Sequence, residues 1–118
     1  MTAEQARSGA LEALDRVLNR GGDADDVLRE TLRILHALYP YVGIRFVEEG
    51  ALVAGPSVGA AAAAAAEEVP IVYGGIEVAR LDVAGAAPDD RAFLERVALL
   101  VSPYCLVGWD TGGEAWEP

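Results

Sequence analysis

Few side chains in this sequence could act on a ligand. They are one histidine, one cysteine, an acidic run at Asp23, Asp25 and Asp26, a glycine-bearing stretch from Gly55 to Gly59, and two arginines, Arg45 and Arg80, in segments that read as extended. A nucleophilic cysteine needs its pKa lowered by a base, a cation or a helix start. Cys105 instead sits near an expected helix end beside Pro103 and Tyr104, which reads as a packed, inert thiol. His36 shares a helical face with Arg29 and Arg33, away from the leucines and with no triad partner or second ligand near it in sequence, so it reads as solvated surface. One His and one Cys do not make a zinc set. Asp23, Asp25 and Asp26 lack the pattern of a calcium loop and are explained by helix capping. No lysine follows Gly55-Pro56-Ser57-Val58-Gly59, so it is not a phosphate loop. No catalytic residue, metal or cofactor is expected. The arginines remain, together with Asp82. Arg45 is out of phase with Val42, Ile44 and Phe46, and Arg80 and Asp82 with Ala79, Leu81 and Val83. In strands these charges point away from the apolar face.

The elements that must carry them are legible from periodicity. Thr2 to Asn19 reads as an amphipathic helix with Ala10, Leu11, Leu14, Val17 and Leu18 at helical spacing and a Thr2/Gln5 capping box. Asp23 starts a second helix whose buried stripe is Val27, Leu28, Thr31, Leu32, Leu35 and Leu38, and Pro40 ends it. Tyr41 to Val47 alternates as a strand, Glu48-Glu49-Gly50 turns, and Ala51 to Gly55 returns, with Gly55-Pro56 and Gly59 expected to break it. Seven alanines, Ala60 to Ala66, read as a connector. Val69 to Gly85 is the central hairpin, turning on Gly74-Gly75. Strict alternation puts Tyr73 opposite Ile76, Ile71 opposite Val78 and Val69 opposite Arg80, and leaves Glu77 out of phase with the arginines. Asp89 and Asp90 open a third helix with Phe93, Leu94, Val97, Ala98, Leu100 and Val101 on its apolar face and no evident charge pairing. Pro103 ends or kinks it near Ser102, and Tyr104 to Val107 is apolar enough to continue it.

At 118 residues the chain is long enough for one domain with one core. A net charge of −10, with nine arginines and no lysine, argues against nucleic-acid backbones and anionic bilayers as partners. The Ala-, Gly- and Arg-rich usage fits a GC-rich bacterial genome. No apolar run is long enough to span a membrane. The start MTAEQARSGALEALDR lacks the basic and apolar regions of a signal peptide, so the cytoplasm is the expected compartment. A single cysteine excludes an intramolecular disulfide.

The order helix, helix, hairpin, connector, hairpin, helix comes with the strings YPYVGIRFVEEGALVAGPSVG, VPIVYGGIEVARLDVAG and DDRAFLERVALLVSPY. Together they resemble a GAF domain, most of all the branch that includes free methionine-(R)-sulfoxide reductase. The carriers are Tyr41-Val42-Gly43, Glu48-Glu49-Gly50, Leu52-Val53-Ala54-Gly55-Pro56, Val69-Pro70-Ile71, Gly74-Gly75, Leu81-Asp82-Val83 and Asp89 to Val101. The resemblance covers about residues 10 to 106 of a single domain spanning 1–118, with 107–118 as a tail. It implies an α+β fold, an antiparallel sheet with helices packed on one face. It departs from the family where the segment over the sheet shrinks to Ser57–Glu68, and the reductases' catalytic cysteines have no counterpart.

In the GAF arrangement the first strand lies beside the last, which brings Arg45 to Arg80 and Asp82, bordered by Tyr41 and Tyr73. Two guanidiniums in a half-apolar cleft suit a small anion or carboxylate. The plainer reading is an Arg–Asp pair on an open sheet face. Asp82 serves one arginine, which leaves the other seeking a ligand or water. The expected function is a non-enzymatic sensor or interaction module. It pairs as a homodimer through its first and third helices, with a small-molecule or protein signalling partner. The alternatives are a degenerate relative of the reductases and a purely structural dimerisation domain. Trp109 and Trp116 read as an anchor against the body or a second chain.

Overall fold

The computed structural model describes residues 2–60 and 66–109. The alanine connector and the tail with Trp116 therefore lie largely or wholly outside the described residues. Helix α1, Ala3–Arg20, starts on the expected capping box: the Gln5 N–H donates to Thr2 Oγ1 and the Thr2 N–H to Gln5 Oε1. Helix α2, Ala24–His36, is capped by Asp23, whose carboxylate accepts from the Asp26 N–H at 2.9 Å. The strands are β1, Tyr41–Glu48; β2, Ala51–Gly59; β3, Glu67–Tyr73; and β4, Ile76–Ala84. A short 3-10 turn, Pro88–Asp90, leads into α3, Arg91–Trp109.

The four strands form one antiparallel sheet in the order β2-β1-β4-β3. Helix α2 lies over β1 and β2, α3 lies over β3 and β4 and beside α2, and α1 packs on α2. The core is the seam between helices and sheet. Leu28, Leu32 and Leu35 of α2, Val42, Ile44 and Phe46 of β1, Val69 and Ile71 of β3, Ala79, Leu81 and Val83 of β4, and Leu94 and Val97 of α3 are all buried. Each large aliphatic or aromatic side chain buried there contributes about 1.5–3 kcal/mol.

The register of the central hairpin differs from strict alternation. Tyr73 pairs with Ile76 as expected, and both turn glycines have positive φ, +61° and +82°, the type I′ geometry. Beyond the turn, Val72 pairs with Glu77 but Ile71 pairs with Ala79 and Val69 with Leu81. The extra residue is Val78, a β-bulge on β4. Its effect is to bring Val69 and Ile71 onto the face of Ala79, Leu81 and Val83, where all five are buried. Without the bulge, Val69 and Ile71 would share the open face with Arg80 and Asp82. Burial of one face therefore selects the slipped register.

Strand β2 continues past the expected break. Gly43 pairs with Ser57 and Arg45 with Ala54, so Ile44 faces two residues, Gly55 and Pro56, in a second bulge. Proline is tolerated because β2 is an edge strand. Gly55 is required: a Cβ there would lie 2.5 Å from the Ile44 carbonyl oxygen and 2.5 Å from Phe46 Cε2. At the opposite edge, β3 carries Pro70, and Arg91 Nη1 donates to the Glu68 carbonyl at 3.1 Å.

Of the two readings at Pro103, an end near Ser102 or a continuation through Tyr104, the helix takes the second and α3 runs through the proline. The carbonyl of Leu99, deprived of its usual N–H partner by the proline, accepts from Ser102 Oγ at 2.9 Å instead. Contrary to the sequence reading, the helix does carry a charge pair, Arg91 to Glu95 at 3.1 Å. At its start Asp90 is buried and shared by three elements. It accepts from the Ala87 N–H at 2.8 Å and from Arg7 Nη1 of α1 at 2.8 Å, and it faces the buried Tyr39 hydroxyl. Burial works against the Asp90 charge, but the Ala87 N–H, Arg7 and Tyr39 outweigh it and hold the carboxyl below its usual range. The same burial and the Asp90 charge push the Tyr39 phenol up.

Candidate functional site

The face of the sheet away from the helices carries Tyr41, Gly43, Arg45 and Val47 from β1. They alternate with Val42, Ile44 and Phe46, which supply the core. Arg45 and Arg80 are direct partners across β1 and β4, Gly43 faces Asp82, and Asp82 in turn faces Glu68 on β3. The expected convergence of Arg45, Arg80 and Asp82 is therefore present. Asp82 takes Arg45 in a two-pronged grip, Nε to Oδ2 at 2.6 Å and Nη2 to Oδ1 at 2.8 Å.

The second guanidinium is not left seeking a partner. Glu77 Oε2 accepts from Arg80 Nε at 2.9 Å and Nη2 at 2.7 Å. Glu68 Oε1 accepts from Arg80 Nη1 at 2.9 Å and from Arg45 Nη2 at 3.0 Å. Two arginines and three carboxylates thus form one network. The hydrogen bonds Arg45 donates to Asp82, and more weakly to Glu68, raise its pKa despite partial desolvation. Glu68 and Glu77 raise that of Arg80. Hydrogen bonds from Arg80 and Arg45 hold the Glu68 carboxyl below its usual range.

Glu68 and Glu77 are the site residues that sequence reasoning missed. Glu77 is excluded by strict alternation and admitted by the Val78 bulge, which returns it to the side of Arg80. Glu68 had a usable signal: it is in phase with Pro70, the cross-strand partner of Arg80. Tyr41 borders the network at its Asp82 end by folding back over Gly43. A Cβ on Gly43 would lie 2.7 Å from Tyr41 Oη and 3.1 Å from Ser57 Cβ. Tyr73 does not join the arginines. It lines an adjoining apolar groove of about 440 Å³ at the end of the sheet, with Val47, Gly74, Ile76, Val78, Cys105 and Glu77, the last shared with the network.

No family model and no curated protein matches the sequence. Among solved structures, the crystal structure of the GAF domain from Acinetobacter phosphoenolpyruvate-protein phosphotransferase superposes with a TM-score of 0.66, covering 95% of this chain and 98% of that one at 12% identity. The fold is GAF-like. At that identity the likeness speaks for architecture alone.

His36 and the acidic run of this GAF-like domain have structural partners. His36 Nδ1 lies 3.1 Å from the Tyr39 carbonyl on an exposed helix end. The carboxylates of Asp23, Asp25 and Asp26 lie close together at the start of α2, where Asp23 caps the helix and Asp25 pairs with Arg29 at 2.9 Å. Among the described residues no helix is long and apolar enough to cross a membrane. Cys105 is fully buried, and burial pushes its thiol up to about 12. Its reaction with an aromatic disulfide reagent at neutral pH is therefore expected to run about a thousandfold slower than that of an unfolded thiol. Stopped-flow labelling checks this, and labelling at the unfolded rate in native buffer would contradict the burial.

Proposed function

We propose that the chain is a non-enzymatic GAF-like sensor or interaction module that works as a homodimer paired through α1 and α3. GAF domains are generally regulatory sensor modules, and the observation that carries this reading here is the closed charge network. On the face where such a domain would present reactive groups, both arginines are already held by Asp82, Glu68 and Glu77. Cys105, the chain's one cysteine, matches none of the reductases' catalytic positions and is buried, which pushes its thiol up.

Pairing is supported by α3, where Leu99 is 59% exposed while Leu94, Val97 and Val101 of the same helix are buried in the core. Ala92 and Pro103 are exposed on the same helix. Most exposed positions of α1, such as Glu4, Ser8, Glu12 and Asp15, are polar and would form the rim of an interface centred on α3. Sedimentation velocity in the micromolar range is expected to give a dimer, and Leu99→Glu a monomer with an unchanged circular dichroism spectrum. A wild-type monomer throughout, or a dimer that Leu99→Glu leaves intact, would contradict pairing through α3.

A further inference from the structure

Three carboxylates hold the two arginines, but they do so in different ways. Asp82 is nearly buried, with a side chain 11% exposed, and grips Arg45 with both oxygens. Glu77 sits three residues from Arg80 on the same strand and takes its Nε and Nη2. Each of these fixes one guanidinium and neutralises it. Glu68 is different. A single oxygen, Oε1, accepts from Arg45 Nη2 at 3.0 Å and from Arg80 Nη1 at 2.9 Å, so it sits where donors from two strands converge. It is also the most exposed of the three, at 48% of its side chain.

We propose that Glu68 is an internal occupant of an oxyanion-binding position formed by Arg45 and Arg80, and that a small carboxylate or phosphate binds there in competition with it. The proposal deepens the sensor reading above by naming the chemical class of the ligand and the contact that ligand must displace. The donors are pre-organised. With Glu68 withdrawn, Asp82 and Glu77 still hold both guanidiniums in place, so the two freed N–H groups keep pointing at one spot without first having to be ordered. Fork-shaped donors held rigidly in this way are the usual recognition element for planar carboxylates and for phosphates. The remaining charges sum to zero locally, because Arg45 and Arg80 offset Asp82 and Glu77, so an incoming anion meets no net negative charge within the cluster. With Glu68 in place the same cluster is negative by one charge and its shared donors are occupied. The native protein is accordingly a weak anion binder whose affinity rises when Glu68 moves.

The test is thermal unfolding of the full chain with inorganic phosphate and, in parallel, acetate, each up to about 10 mM at constant ionic strength. Three proteins are compared: wild type, Glu68→Ala, and Glu68→Ala combined with Arg80→Met. Glu68 is an exposed residue on an edge strand, so its removal leaves the core untouched, and an unchanged circular dichroism spectrum is the control. Glu68→Ala is expected to gain a rise of about 4 °C with the preferred anion, consistent with at least about tenfold tighter binding than wild type. The double variant should show no rise. Whether phosphate or acetate produces it identifies the class of guest.

Three results would overturn the proposal. One is no anion response in Glu68→Ala. Another is a response that survives Arg80→Met, which places the anion elsewhere. The third is a wild-type response equal to that of Glu68→Ala, which would mean Glu68 does not compete. None of these bears on pairing through α3, which sedimentation decides separately.

Discussion

Replacing Asp90 by alanine is expected to destabilise the protein by about 2–3 kcal/mol, more than the loss of an exposed pair on a helix surface. The Arg7–Asp90 pair is mostly enclosed, with side chains 20% and 11% exposed. Removing the carboxylate leaves the Arg7 guanidinium, the Ala87 N–H and the Tyr39 hydroxyl without their common acceptor. Pairs such as Arg29–Asp25, roughly half exposed on both sides, are worth only about 0.3–0.5 kcal/mol.

The pH dependence follows from the direction of the Asp90 shift. Its carboxyl is held below the ordinary range when folded, so its contribution is complete above the unfolded value of about 4 and is lost as pH falls through the folded one. Urea unfolding of wild type and Asp90→Ala should therefore differ widely at pH 7 and draw together towards pH 2. A difference below about 0.5 kcal/mol at pH 7 would show that the buried pair contributes nothing beyond a surface one.

A second large effect is expected at Gly55. Valine there places a Cβ at 2.5 Å from both the Ile44 carbonyl oxygen and the Phe46 ring. Neither can retreat easily, because Ile44 belongs to a central strand and Phe46 is fully buried. Overpacking of this kind costs about 3 kcal/mol. The control is the neighbouring Ala54→Val: Ala54 is exposed on the same edge strand, and the change should fall within about 0.5 kcal/mol of wild type. Equal midpoints for the two variants in urea would mean that β2 peels away from β1 at no cost and that the bulge is not needed.

Much of the fold is legible in the sequence because local chemistry decides it. Thr2 with Gln5, Asp23 before α2, and Gly74-Gly75 each state their role within a few residues. The helix-covered stripe of α2 and the alternation of β1 follow from periodicity alone. The misreadings share one cause, which is that a residue's meaning depended on neighbours distant in sequence. Pro56 reads as a breaker until β2 is known to be an edge. Pro103 leaves an end and a continuation both open until Ser102 is seen to cover the Leu99 carbonyl. The Val78 bulge has no local signature; it exists because Val69 and Ile71 must reach the buried face, and that demand comes from α3. The site inherits this. Arg45, Arg80 and Asp82 are legible from phase together with the strand order that the GAF resemblance implies, whereas the bulge hides Glu77. Tyr73 was drawn into the site by the unbulged register and belongs to the apolar groove instead.

The two sheet edges have a consequence for how copies of this molecule can associate. An unprotected outer strand offers a row of N–H and carbonyl groups to any passing chain. Here one margin is buckled by Gly55-Pro56, and the other lacks an N–H at Pro70 and has the Glu68 carbonyl already taken by Arg91. Lateral growth of the sheet, whether as domain-swapped ribbons or as cross-β stacking, meets a mismatched template on both sides. Self-association is thereby steered to side-chain surfaces, which can be tuned by mutation without inviting fibres.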